Sequence, residues 1–271
     1  MDTKPWLKNY DEGLPRTLQP YPSKTLIDVM QETVKARPSH TAMIYKGTSI
    51  SYNQLDELSN AFANALISMG VKKGDRVALV MPNIPQFVIA EFGAWKAGAI
   101  VACINPLYTE YELTHALNEC GAETAVVMTR FYDKVKKIQK QTKVKRVVAT
   151  NVKEYLPTLM RILFTLLKEK KEGDRIELQQ GDAWFKDLLK QGGMGGIPSV
   201  KVSPDDRALI LFTGGTTGLS KAAVGTHQTL VTSGTQILAW FSNILKEYED
   251  NFLTALPLLS LIHISEPTRP Y

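Results

Sequence analysis

A short segment in the C-terminal part of the sequence combines glycine, threonine and lysine in the way that a phosphate-binding loop requires. It reads TGGTTGLSK from Thr213 to Lys221 and follows an apolar run, Ala208 to Phe212, that predicts a buried strand. Glycine lacks a Cβ, so the backbone can turn sharply and aim several N–H groups at a polyanion. The threonine hydroxyls add donors or a metal ligand, and the lysine adds a mobile positive charge. The alternative is a plain turn with an exposed lysine between a strand and a helix.

Other familiar catalytic patterns are missing from the sequence. Leu219 and Ser220 separate Gly218 from Lys221, and no hydroxyl residue follows the lysine, so the loop does not match the Walker-type pattern GxxxxGK[ST]. There is no GxSxG, HExxH or GxGxxG motif. We interpret three of the four histidines as surface or capping residues rather than catalytic ones; they are His40, His115 and His227. Hydrolase triads, zinc peptidases and dinucleotide-binding folds therefore have no support.

Composition indicates a folded globular protein. Hydrophobic residues make up 44% and charged residues 22% of the 271 residues, which excludes collagen, coiled coil and extensive disorder. The net charge of +5 is too small to indicate nucleic-acid binding, and we interpret the lysine-rich stretch 133–146 as a solvated helix face. Cys103 and Cys120 show neither CxxC nor Cys/His spacing, and residues 1–10 carry no apolar leader. We therefore expect a cytoplasmic protein without disulfides or structural zinc.

Alternating helical and extended patterns between residues 50 and 150 predict an α/β fold with a mostly parallel sheet flanked by helices. Apolar residues spaced three and four apart and stopping at a glycine indicate helices, and short apolar runs indicate strands. The predicted helices cover Asn53–Met69, Pro85–Ala97 and Thr109–Cys120, and the predicted strands cover Val77–Met81, Ala99–Ile104 and Thr124–Met128.

Glycine and proline also indicate how the chain is divided. Gln191–Pro198 contains four glycines and a proline, which cannot sustain a regular element. We assign residues 1–190 to an N-terminal α/β subdomain, 191–204 to a linker, and 205–259 to the start of a second subdomain that carries the glycine-rich loop.

One segment leaves two interpretations open. No apolar stretch is long enough to span a bilayer, and the nearest approach is Tyr155–Leu167, which is followed by Lys168, Lys170 and Lys171. An apolar strip beside lysines suits a membrane surface, so residues 155–171 are a candidate for peripheral membrane contact. The other interpretation, which we favour at this point, is an amphipathic helix packed on its own domain.

Several blocks of the sequence resemble one family of enzymes. Phe212–His227, FTGGTTGLSKAAVGTH, resembles the signature phosphate loop of the adenylate-forming enzymes, the acyl-CoA synthetase and luciferase superfamily. Lys72–Asn83, Trp95–Ala122 and Thr254–Leu258 are similar to the bacterial long-chain fatty acid–CoA ligase branch. The resemblance implies the N-terminal part of the adenylate-forming fold, with an incomplete second subdomain.

The resemblance also implies a two-step reaction. A fatty acid would attack the α-phosphate of Mg-ATP to give acyl-AMP and pyrophosphate, and coenzyme A would then displace AMP. The residues that would bind the nucleotide phosphates are Thr213, Gly214, Gly215, Thr216, Thr217, Gly218 and Lys221. Lys221 would offset charge on the leaving pyrophosphate, and Thr216 would help to position Mg²⁺. We assign no catalytic residue, and the adenine, acyl and coenzyme A pockets are expected outside this chain.

The sequence departs from the family at several positions. Ser220 stands where proline is commoner, Ala222 where the family nearly always has glycine, and Gly225 where a larger apolar residue is usual. Residues 259–271, LSLIHISEPTRPY, do not resemble the family and look like a translated sequencing adapter, so we expect 260–271 to be a non-native tail and leave His263 unassigned.

Because most of the active site that the resemblance implies is absent from these residues, we expect this chain to be an inactive fragment of a long-chain fatty acid–CoA ligase. Strands after Leu209 are expected to lack sheet neighbours. The parent enzyme is expected to be cytoplasmic or membrane-associated, with a homodimer as a further expectation. Two alternatives stay open: an acyl- or aryl-CoA synthetase with another acid substrate, and a non-catalytic nucleotide- or membrane-binding module.

Overall fold

The computed structural model describes residues 4–193, 196, 198–213, 220–246, 248–254 and 258. The strands are β1 (Thr41–Tyr45), β2 (Thr48–Ser51), β3 (Arg76–Val80), β4 (Ile100–Ile104), β5 (Thr124–Met128), β6 (Arg146–Thr150), β7 (Ala183–Trp184), β8 (Arg207–Thr213) and β9 (Lys221–Thr226). The helices are α1 (Leu26–Ala36), α2 (Tyr52–Ser68), α3 (Pro85–Lys96), α4 (Glu110–Cys120), α5 (Thr129–Ile138), α6 (Thr158–Leu167), α7 (Phe185–Gly192) and α8 (His227–Trp240). Short 3-10 turns cover Pro5–Asn9, Gln139–Gln141 and Val152–Tyr155.

The described residues form a seven-stranded sheet in the order β7-β6-β5-β3-β4-β8-β9, beside a separate β1-β2 hairpin. Every neighbouring pair in the large sheet is parallel except β8 and β9, which are antiparallel. Strands β4 and β5 are buried throughout, as expected for a parallel sheet covered on both faces. The predicted α/β fold and the predicted helices and strands are confirmed, with boundaries shifted by one residue at most of their ends.

Two hydrophobic layers hold the sheet. One contains buried residues of α1, α2, α3 and α7, and the other contains buried residues of α4 and α5. Capping side chains set where three of the helices begin. Thr25, Ser51 and Thr109 each form a capping box with the residue three positions later, at the starts of α1, α2 and α4. Gly98 ends the turn after α3 at φ +74°, where a Cβ would lie 2.9 Å from Val200 Cγ1, so both the angle and the close approach require glycine.

The expectation that strands after Leu209 lack sheet neighbours is wrong. Strand β8 pairs with β4 on one side and with β9 on the other. The element that follows the loop is the antiparallel strand β9, and helix α8 begins directly after it. Small residues such as Ala222 and Ala223 allow this strand to lie directly against Phe212 and Leu211 of β8.

Described residues at both ends of the assigned linker, 191–204, contact the first subdomain. Helix α7 runs through Gly192, where a Cβ would come 1.9 Å from the carbonyl oxygen of Ala61 on α2. Lys73 Nζ donates to the carbonyl oxygen of Lys201 at 2.9 Å and pairs with Asp206 at 2.6 Å. The segment 198–206 therefore leads β8 back into the same sheet.

The lysine-rich stretch makes internal contacts at the protein surface. Lys134 Nζ donates to the carbonyl oxygens of Pro106 and Tyr108 at 3.1 and 2.8 Å. Further ion pairs join Lys136 to Asp182, Lys137 to Glu110 and Lys145 to Glu123. Lys137 and Lys145 are exposed, as a solvated face predicts, whereas the Lys136–Asp182 pair is buried and belongs to the packing of α5 on the domain.

The favoured interpretation of residues 155–171, an amphipathic helix packed on its own domain, is wrong for α6. None of its residues is buried, and six aliphatic side chains point into solvent instead of packing on the domain. An amphipathic pattern fixes the apolar face of a helix but not what covers that face. No helix within the described ranges is long and apolar enough to cross a bilayer.

Candidate nucleotide-binding site

The strand that leads into the candidate loop, β8, ends at the carboxyl edge of the parallel sheet. Strand β8 runs parallel to β4, and β4 runs parallel to β3, so the segments that follow all three strands emerge at one edge. Ligands of open α/β sheets bind at this edge, outside the carboxyl ends of the strands. Strand β8 therefore ends, at Thr213, at the edge where the fold favours a ligand.

The two ends of the loop face each other across the β8–β9 hairpin. Thr213 and Lys221 are register partners, and Thr213 Oγ1 donates to the carbonyl oxygen of Lys221 at 3.3 Å. Both residues are exposed. The hairpin thus places the threonine and the lysine of the predicted site side by side, although they are eight positions apart in the chain.

The middle of the predicted site lies outside the described residues. It comprises Gly214, Gly215, Thr216, Thr217 and Gly218, and it includes Thr216, the predicted Mg²⁺ ligand. In the part of the chain that the structure describes, Lys221 Nζ has no hydrogen-bond or ion-pair partner. An exposed ammonium at the base of a glycine-rich loop is suited to a phosphate oxygen.

A second contact holds the C-terminal end of the loop. His115 Nε2 on α4 lies 3.1 Å from the carbonyl oxygen of Ser220, the residue before β9. Because a carbonyl oxygen only accepts, Nε2 carries the proton in this contact. We interpreted His115 as a surface or capping residue, whereas the structure shows that it contacts the predicted loop. Only the pairing of β4 with β8 brings these distant positions together, so spacing in the sequence gives no signal for it.

His227 is not at the surface, but its Nδ1 accepts from the N–H of Leu26, the first residue of α1, as a capping residue does. It begins α8 and is buried, and its ring packs edge to face on Trp95 with centroids 5.7 Å apart. Trp95 Nε1 donates to the carbonyl oxygen of Ala208 at 2.8 Å, at the start of β8. Burial lowers the pKa of His227 to about 4. A neutral imidazole thus supports the strand that leads into the loop.

Two further segments converge on the same edge. The loop 105–109 follows β4 and is held by Lys134, which donates to two of its carbonyl oxygens. Asn83, just after β3, donates to the carbonyl oxygen of Thr254 at 3.1 Å and accepts from the N–H of Leu258 at 2.9 Å. Blocks of sequence that carried the family resemblance are therefore brought together around the end of β8.

Comparison with known proteins agrees with this geometry. Residues 30–265 match the family model described as AMP-binding enzyme, and the chain belongs to that family. The matched range ends a short way past Leu259, and residues 259–271 lie outside the described part, so the assignment of 260–271 as a tail stays a prediction.

The relatives found are acid–thiol ligases. The chain is 33% identical over 265 residues to the long-chain-fatty-acid–CoA ligase of Escherichia coli O157:H7, covering 97% of this chain and 47% of that protein. It is 32% identical over 255 residues to the ligase of the same name from Bacillus subtilis strain 168, covering 94% of this chain and 45% of that protein. The chain spans about half the length of the curated relatives it matches.

Solved structures share the fold. A long-chain-fatty-acid-CoA ligase (FadD1) from Archaeoglobus fulgidus aligns with a TM-score of 0.65 at 25% identity, covering 85% of this chain and 42% of that one. The anthranilate CoA ligase AuaEII, solved in complex with anthranoyl-AMP, aligns with a TM-score of 0.66 at 20% identity, covering 80% and 37%. The sheet described above is therefore the N-terminal part of the adenylate-forming fold.

Proposed function

We propose that this chain supplies the ATP-phosphate-binding part of a long-chain fatty acid–CoA ligase. The observation that carries the proposal is the hairpin that sets Thr213 beside Lys221 at the carboxyl edge of the sheet. The identity of about one third to long-chain fatty acid–CoA ligases supports the acid substrate. Fatty acid, ATP and coenzyme A are the proposed substrates.

The proposed reaction has two steps. The carboxylate oxygen of the fatty acid attacks the α-phosphorus of Mg-ATP, which forms acyl-AMP and expels pyrophosphate. The sulfur of coenzyme A then attacks the acyl carbon, which forms the thioester and releases AMP, while the thiol proton passes to solvent. Backbone N–H groups and hydroxyls of residues 213–218 bind the β- and γ-phosphates, and Lys221 stabilises the charge that develops on pyrophosphate.

Magnesium enters this proposal as part of the Mg-ATP substrate. Mg²⁺ favours phosphate oxygens together with carboxylates and water. Among the residues with described positions, no group of three or more His, Cys, Asp or Glu side chains could hold a metal ion. Phosphate oxygens of the nucleotide would supply ligands to the ion, with the Thr216 hydroxyl as the proposed contribution of this chain.

We also propose that the chain by itself forms no acyl-CoA, because it spans about half the length of its relatives. The proposed location is cytoplasmic, supported by two buried free thiols, Cys103 and Cys120. Peripheral membrane association through residues 155–171 and a homodimeric parent enzyme complete the proposal.

Calorimetric titration with Mg-ATP tests the nucleotide role. We expect the 271-residue chain to bind Mg-ATP and Lys221→Met to weaken binding about tenfold, the effect of losing one charged hydrogen bond. Lys143→Met is the matched control, because Lys143 is exposed and precedes β6 at the opposite edge of the sheet. No Mg-ATP binding, or equal losses in both variants, would contradict the proposed role of the loop.

A second assay tests the proposed chemistry. The chain is incubated with palmitate, Mg-ATP and coenzyme A, and the products are separated by chromatography. We expect no palmitoyl-CoA from this chain, and its formation would contradict the proposed inactivity. Profiling fatty, aryl and amino acids with the longer parent enzyme then tests the choice of a long-chain fatty acid.

A further inference from the structure

Helix α6 presents a continuous aliphatic face to solvent. Leu159, Met160, Ile162, Leu163, Leu166 and Leu167 are between 42% and 75% exposed. At about 100° per residue these six side chains occupy roughly 160° of the helix circumference. Only Phe164, on the other side, is partly covered by the protein. A face of this size is a place for an external partner.

The helix is held firmly at both of its ends. Asn151 Oδ1 caps the turn that enters α6 by accepting from the N–H of Lys153 at 3.0 Å. The amide nitrogen of the same residue donates to Glu169 Oε1 at 3.2 Å and to the carbonyl oxygen of Asp174 at 3.0 Å, both just after α6. An ion pair between Lys153 Nζ and Glu169 Oε1, which are 2.5 Å apart, also joins the two ends of the helix segment. The exposed face is therefore displayed on a fixed support.

The exposed charges on α6 and in the four residues after it are all positive. The helix itself contains Arg161 and no acidic residue. Lys168, Lys170 and Lys171 follow it, are exposed, and have no ion-pair partner among the residues whose positions are given. The neighbouring acidic groups are used internally, since Glu169 pairs with Lys153 and Glu172 pairs with Arg130. The C-terminal end of the aliphatic face is thus flanked by positive charge.

We propose that α6 lies in the surface of an anionic lipid bilayer, with its leucines in the acyl boundary and its lysines on phosphate headgroups. Aliphatic side chains gain free energy by leaving water, and each nearby lysine adds electrostatic attraction to an anionic leaflet. This inference rests on the membrane association proposed above and deepens it by naming the helix, its face and the lipid charge. The catalytic proposal does not depend on it.

A second copy of the chain fits this face less well. In a two-fold contact through this face the same surface meets itself, so the positive end that carries Lys168, Lys170 and Lys171 becomes part of both sides of the contact. Like charges brought together in this way oppose association. An anionic bilayer supplies both the apolar phase and the opposite charge.

The sheet topology relates this surface to the nucleotide site. Helix α6 follows β6 and the candidate loop follows β8, so both leave the sheet at its carboxyl edge. Strands β5, β3 and β4 lie between them, which corresponds to about 20 Å at the usual strand spacing. A bilayer that holds α6 would therefore lie along the edge at which the proposed fatty acid is activated.

Vesicle flotation tests the proposal with the 271-residue chain. We expect binding to phosphatidylcholine vesicles that contain phosphatidylglycerol, weaker binding to phosphatidylcholine alone, and a decline as salt is raised. Leu163→Glu combined with Leu166→Glu is expected to reduce the partition coefficient at least about tenfold, since each leucine loses its apolar burial. Thr165→Glu is the matched control, because it adds the same charge on the opposite side of the exposed helix.

Two companion measurements separate the possible failures. Replacement of Lys168, Lys170 and Lys171 by glutamine should remove most of the salt dependence while leaving the far-ultraviolet circular dichroism spectrum unchanged. Sedimentation velocity of the leucine variant detects self-association: a dimer that the variant abolishes, without any vesicle binding, would overturn the proposal in favour of a second copy. Mg-ATP binding measured in parallel shows whether the nucleotide role survives such a result.

Discussion

The imidazole of His115 and the carbonyl oxygen of Ser220 lie 3.1 Å apart and join helix α4 to the end of the candidate loop. Thr213 Oγ1 and the carbonyl oxygen of Lys221 close the loop at its base. The loop backbone is thus held at two points before a ligand arrives. Holding it in advance reduces the conformational entropy that nucleotide binding would otherwise cost.

His115→Phe is expected to weaken Mg-ATP binding about fivefold, the equivalent of one hydrogen bond of about 1 kcal/mol. His115→Gln offers a donor of similar reach and should recover part of the affinity. Isothermal titration of the folded chain measures both. Asn118→Ala is the control, because it removes a hydrogen bond of the same helix to Gln141, away from the loop. Equal affinity in wild type and His115→Phe would contradict the anchoring role.

A buried ammonium group should be important for stability. Lys96 Nζ lies 2.6 Å from Asp56 Oδ1 and 2.7 Å from both Ser59 Oγ and Asn60 Oδ1, which joins α3 to α2. Lys96→Met removes the only cation paired with the Asp56 carboxylate within the described residues and leaves it the amide donors of Gln31 and Asn60, and we expect a loss of about 3 kcal/mol in the free energy of unfolding.

Urea denaturation measures this loss. The double variant Lys96→Met with Asp56→Asn should recover part of it, because the unpaired charge is then removed. Lys35→Met replaces an exposed lysine of α1 and should change the stability little. A fully additive double variant would show that the ion pair contributes nothing.

The buried imidazole of His227 predicts a pH dependence of stability. The unfolded chain protonates this group near pH 6.5, whereas burial lowers its pKa to about 4 in the folded protein. The folded state binds fewer protons between these values. Its free energy of unfolding should therefore fall as the pH is lowered from about 6.5 toward 4, by at most about 1.4 kcal/mol per pH unit.

His227→Asn keeps an acceptor for the N–H of Leu26, which lies 3.4 Å from His227 Nδ1, and removes the titration. We expect the stability difference between wild type and this variant to shrink as the pH falls through this range. Thermal melts across the range measure it, with His40→Asn as the histidine control. A constant difference would rule out a depressed pKa.

Two glycines in helices should respond to alanine in opposite directions. A Cβ at Gly192 would lie 1.9 Å from the carbonyl oxygen of Ala61, whereas a Cβ at Gly234 in α8 would have nothing within 4 Å. Gly192→Ala should destabilise the protein by about 1–3 kcal/mol through overpacking. Gly234→Ala should stabilise it by about 0.5–1 kcal/mol through helix propensity. Melting temperatures of the two variants that shift in the same direction would contradict this prediction.

Local sequence patterns were sufficient to predict most of the sheet. Helix α2 ends where Gly70 stops its apolar periodicity, and β5 occupies the whole of its predicted run. These features depend on residues close in the sequence, so the sequence alone reveals them.

Features that depend on distant pairing were not predicted. Nothing in Lys221–Thr226 alone favours a strand, because its small residues become a strand only by pairing with β8. The contact between His115 and Ser220 likewise requires β4 and β8 to be neighbours. For α6 the periodicity indicated an apolar face correctly, but only the arrangement of neighbouring elements shows that nothing within the described residues covers it.

The Asn151 side chain joins the two ends of the segment 152–174 that contains α6. Its amide group hydrogen-bonds the chain that enters the segment at Lys153 and the chain that leaves it at Glu169 and Asp174. A segment closed in this way behaves as a replaceable module. Its ends stay together whatever lies between them, so a fluorescent reporter or a foreign peptide grafted between Pro157 and Lys168 should leave the sheet intact. The segment that contains α6 is thus a convenient insertion site for engineering this fold.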